Sequence, residues 1–156
     1  MNRHELREAF PAEKLAAAGA FEQRGATYPD GAEYAQHIDG KTWDQLDEHV
    51  ARRSDALSFL GTRHLIAVLP AYLNLLFVLG PMSPVPETLL PLLAKPDDTA
   101  SKHGKRFDEL TSALSSRQQA VVAAALARFV AEYPAYGAPA QVALDSYWNE
   151  FSEGSK

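Results

Sequence analysis

The sequence predicts an all-α protein: a single compact bundle of several helices around a central apolar helix at about residues 63–79, with no β-sheet. Three observations carry this. "HLIAVLPAYLNLLFVLG", His64 to Gly80, is apolar on every side, as a fully buried helix is. "SSRQQAVVAAALARFVAEYP" places Val122, Leu126, Phe129, Val130 and Tyr133 on one helical stripe. Period-2 alternation of β-branched residues, the mark of a half-buried strand, is absent from the chain.

The chain has 156 residues, the size of one domain, and its 46% apolar and 22% charged residues are ordinary for a globular protein. One helical domain over 1–156 is therefore expected, with flexible tips at about 1–3 and 153–156. There is no cysteine, which removes disulfides, thiolate nucleophiles and Cys-ligated zinc together.

"MNRHELREAF" alternates charge and lacks the apolar run of a signal peptide, so a cytoplasmic location is expected. "PAEKLAAAGAFEQR" reads as an alanine-rich helix with Pro11 in its first turn. Tyr28–Gly31, "YPDG", reads as a turn. In "DGKTWDQLDEHVARR", Thr42 and Gln45 have capping-box spacing, and Trp43, Leu46 and Val50 supply one buried face of the helix that follows. Asp44, Asp47 and Glu48 then face water near the positive helix start. "SDALSFL" is a further helix, with Gly61 at its left-handed C-terminal position and Thr62 capping the restart.

The apolar run Leu65–Leu79 is shorter than the roughly 20 residues a membrane-spanning helix needs, so it reads as core. Pro70 removes a backbone donor, and a kink or a break with restart is expected there. Pro81, Pro84, Pro86, Pro91 and Pro96 follow, and this segment reads as a loop with a short helix around Glu87–Leu93. The stretch at about 95–105 reads as a mobile loop, and its basic cluster Lys102, His103, Lys105 and Arg106 as a solvated helix start. Ser115 and Gln118 form a second capping box, and Pro134 stops the helix they open. A last helix aligns Ala140, Leu144, Tyr147, Trp148 and Phe151.

Motifs of catalysis are missing. No G-x-S-x-G, Walker A or G-x-G-x-x-G is present, and "HELRE" has glutamate where a zinc-binding helix needs its second histidine. Oxygen-rich groupings, His37 with Asp39 or Asp44 with Asp47 and Glu48, have weak cation-site spacing, and no metal or cofactor is expected. The net charge is −5, with eleven Asp/Glu against seven Lys/Arg in residues 1–55, the reverse of what nucleic acid attracts. Trp43, Trp148, Tyr72, Tyr147, Phe59, Phe77, Phe129 and Phe151 sit at core spacing, whereas Tyr28, Tyr34, Tyr133 and Tyr136 lie nearer turns and suit an interface.

"WDQL…DALSFLGTRHLIAVLPAYL" (Trp43 to Leu73), "FDELTSALSSRQQAVVAAALARFV" (Phe107 to Val130) and "AQVALDSYW" (Ala140 to Trp148), in this order, resemble a family of small bacterial helical proteins of unknown function. Gly61–Thr62 stands where that family's pattern has Ser-Pro. The resemblance implies an all-helical fold. In size, acidity and lack of catalytic motifs such proteins are similar to immunity proteins of bacterial toxin–immunity systems.

The resulting expectation is a non-enzymatic protein-binding domain, with an immunity protein occluding a cognate toxin as its most specific form and Glu33, Asp39, Asp44, Asp47 and Glu48 as the contact face. The alternative is a small-ligand or metal-binding helical protein, or an enzyme without a recognised motif. Its pocket would lie beside the core helix, at His64, Tyr72, Asn74 and Glu87. Asn74, in so apolar a helix, calls for a hydrogen-bonding partner. A homodimer using exposed tyrosines is a third arrangement.

Overall fold

The computed structural model describes residues 2–21 and 28–152, and the chain is all-α, with no strand among those residues. The helices are α1 (Arg3–Ala9), α2 (Gly31–Ile38), α3 (Glu48–Ala51), α4 (Thr62–Val78), α5 (Pro84–Leu93), α6 (Lys102–Ala113), α7 (Ser116–Glu132) and α8 (Ala138–Ser146). Shorter 3-10 turns occupy Trp43–Gln45, Ser54–Ser58 and Trp148–Phe151. Among the described residues no helix is long and apolar enough to cross a membrane. Two compact units form: one is Phe10–Thr88, the other Met1–Ala9 together with Leu89–Lys156.

In the first unit α4 is the apolar centre, with Leu65, Val68, Leu69, Leu73 and Leu76 buried. Each such side chain is worth roughly 1.5–3 kcal/mol. Of the kink or break with restart expected at Pro70, the break does not occur: α4 runs unbroken from Thr62 to Val78. Proline forfeits one helical hydrogen bond, and the packed turns on both sides hold the geometry. Gly61 also departs from its expected role. Its φ of −63° is not left-handed; it is the N-cap of α4, its N–H reaches the Ala20 carbonyl at 2.9 Å, and Thr62 is already inside the helix.

The alanine-rich segment from Pro11 is not a helix over residues 11–17; the rest of that expected helix lies partly outside the described residues. Tertiary partners satisfy its backbone instead. The Leu15 N–H donates to Lys41 O at 2.7 Å and Gly40 donates to Leu15 O at 2.8 Å. The Ala17 N–H reaches Asp39 Oδ1 at 3.0 Å. Helix propensity in alanine is a fraction of a kcal/mol per residue, less than such a set of long-range bonds.

The helix expected after Thr42 is two pieces. Gln45 Oε1 accepts the Thr42 N–H at 2.9 Å, the reciprocal half of the capping box, but the turn stops at an extended Leu46 (φ −76°, ψ 137°). Trp43 explains the stop: its indole is buried and donates to Phe10 O at 2.9 Å, which fixes the turn in place. Asp47 then caps α3. Tyr28 and Tyr34 are core residues rather than interface residues, at 8% and 0% exposure. Tyr28 stacks on Phe59 with ring centroids 5.1 Å apart, and Phe21 approaches both tyrosines.

In the second unit, Ser115 Oγ accepts the Gln118 N–H at 3.2 Å while Gln118 Oε1 accepts from Ser115 N at 2.9 Å, and α7 ends before Pro134. Val122, Leu126 and Phe129 form its buried stripe. α8 packs against α7 and breaks at Tyr147 (φ −161°), where the last 3-10 turn begins. The break turns Trp148 inward, where its indole N–H bonds Leu93 O at 2.6 Å and its ring meets Phe107 edge-on. α1 packs on α7, with Glu8 paired to Arg117.

α5 begins at Pro84, three residues before the expected Glu87, because prolines are accepted in a first turn. The loop expected at 95–105 gives its last residues to α6, and Lys95 N is tied to Ser146 Oγ at 3.0 Å. Arg106 is 7% exposed, so the basic cluster is not wholly solvated. Arg3 lies in α1; Met1 and 153–156 lie outside the described residues.

Candidate functional site

The five acids expected on a contact face all belong to the unit Phe10–Thr88. Glu33 sits in the first turn of α2, whose inner face is Tyr34 and Ile38, so its carboxylate points to water at 52% exposure. One turn on, His37 Nε2 lies 3.9 Å from it. Arg53 reaches the other Glu33 oxygen at 3.2 Å and Asp30 at 3.9 Å. The hydrogen bond that Arg53 donates to Glu33, then the charges of Glu33 and Asp30, raise the pKa of the Arg53 guanidinium.

Asp47 Oδ1 accepts the His49 N–H at 3.0 Å and lies 3.2 Å from its Nδ1. Partial desolvation works to raise this carboxyl, but the backbone and ring donors of His49, with the charges of His49 and Lys41, hold it below its ordinary range. Glu48 pairs with Arg52 one turn later at 3.7 Å.

Two rings join these pieces. His37 of α2 and His49 of α3 stack with centroids 5.6 Å apart and planes inclined by 25°. The structure therefore brings Glu33 and Asp47, with Glu48 beside Asp47, around a pair of imidazoles. Asp39 and Asp44 have other employment. Asp39 holds Ala17, and Asp44 Oδ1 accepts the Thr42 hydroxyl at 2.5 Å, both contacts that shape the loop. Between Tyr28 and Asp55, seven carboxylates stand against three cations, an excess of four negative charges when the imidazoles are neutral.

His64, Tyr72 and Asn74, named for the alternative pocket, are spread along α4. His64 Nε2 bonds Ala16 O at 2.8 Å. Tyr72 is buried, donates to Val50 O at 3.1 Å and shares a 3.1 Å contact with the Tyr34 hydroxyl. Burial pushes both phenols well above their ordinary range. Eight helical residues put His64 and Tyr72 about 12 Å apart along α4, and Asn74 points about 200° around the axis from Tyr72. Asn74 is 8% exposed, and Glu87 is exposed in the first turn of α5. Among the described residues, no buried side-chain nitrogen or oxygen lacks a hydrogen-bond partner, and no three His, Cys, Asp or Glu are grouped to hold a metal ion.

Sequence reasoning weighed His37 only with Asp39, as a weak cation site, and did not single out His49 or Arg53. The signal was in part present: Glu33 and His37 have i,i+4 spacing, and Asp47-x-His49 is a cap followed by its donor. What no spacing reveals is that α2 meets α3 at the two rings. No family model, curated protein or solved structure matches the chain, so a functional reading stands on this geometry alone.

Proposed function

We propose that this is a non-enzymatic protein-binding domain that docks a basic partner on the α2–α3 face. An immunity protein that occludes a cognate bacterial toxin is the form of this activity best suited to a cytoplasmic acidic protein. The observation that supports this reading is the exposure of Glu33, Asp47 and Glu48, each more than half exposed, beside the stacked rings of His37 and His49. Their present contacts to Arg53, Arg52 and the two histidines are exposed to solvent and weakly held, so a partner's arginines or lysines exchange with them at small cost. Long-range attraction toward such a face raises the rate of encounter more than it slows release.

The test begins with a tagged-protein pull-down from the host and from competing strains, washed at two salt concentrations. The partner is then measured against Glu33→Lys/Glu48→Lys, a variant that spares the Asp47 cap. Association at low salt falls by about tenfold, dissociation changes less, and the difference shrinks as salt rises. An association rate indifferent to both substitutions at low salt refutes the acidic face.

A further inference from the structure

We draw no further inference here: the strongest candidate, the apolar surface patch at the C-terminal end of α4, where Val78 and Met82 stand exposed on either side of Gly80, carries nothing because nothing in the structure shows what covers it.

Discussion

Gly104 is a position where two effects of known size oppose each other, and the structure decides the sign. It is the third residue of α6, and its N–H is held by Ser101 Oγ at 3.0 Å. In an unconstrained helix interior, alanine is favoured over glycine by about 0.8–1.0 kcal/mol. A Cβ at Gly104 would lie 2.5 Å from the carbonyl carbon of Thr99 and 2.6 Å from Asp98 O, and closer still to Thr99 O. These are backbone atoms, so no rotamer change relieves the overlap. The 98–99 loop has to retreat by about 1 Å to ordinary contact, an overpacking of the kind that costs about 1–3 kcal/mol. Retreat also pulls on the Ser101 hydroxyl bond to Asp98 O at 2.6 Å and on the Ser101 cap itself. A lost cap adds about 1 kcal/mol. Gly104→Ala is therefore less stable than wild type by about 2 kcal/mol in urea unfolding followed by circular dichroism. His103→Ala, exposed in the same turn, stays within about 0.5 kcal/mol. A Gly104→Ala protein as stable as wild type, or more stable, refutes the close approach, because helix propensity alone would then be in control.

Two further outcomes follow from the titrating groups. Asp47 has a folded pKa below its ordinary value, so its contribution is present above the unfolded pKa near 4 and is lost as pH falls through the lowered folded one. Asp47→Ala, which removes the α3 cap, lowers the thermal midpoint at pH 7, and the gap to wild type narrows as pH falls below the ordinary carboxylate range. A gap that persists undiminished at pH 2.5 refutes the assignment. Tyr28, Tyr34 and Tyr72 are shifted the other way. Desolvation leads in each; Tyr28 adds its 2.9 Å bond to Asp55. Their contribution is complete below about pH 10 and is lost as pH rises through the folded values. Absorbance at alkaline pH shows these phenols ionising only together with loss of the helical signal; ionisation of all the tyrosines near pH 10 in folded protein is the contrary result.

The elements legible in the sequence were those governed by local rules. The α7 stripe and its Ser115–Gln118 box needed only spacing, and the apolar run of α4 needed only its uniformity. Errors occurred where distant residues supplied the hydrogen bonds. Residues 11–17 look helical because alanine is a helix former, but Leu15 pairs with Lys41 and Gly40. Tyr28 and Tyr34 sit beside turns in the sequence, and their burial comes from Phe59, Phe21 and Tyr72. The candidate face divides in the same way. Glu33, Asp47 and Glu48 could be named from charge, whereas Asp39 and Asp44 are occupied by loop contacts. The stacked histidines were invisible because two separate helices make them neighbours.

The pairing of α1 with α7 bears on how the chain assembles. Glu8 meets Arg117 across 109 positions, and all of Phe10–Thr88 lies between them in the sequence. During synthesis α1 emerges long before its docking site exists, while the intervening unit is a continuous stretch that meets its own partners as it is made. Docking α1 on α7 therefore closes a long loop and carries the larger loop-closure entropy. A change in α1 consequently acts far along the polypeptide, on α7.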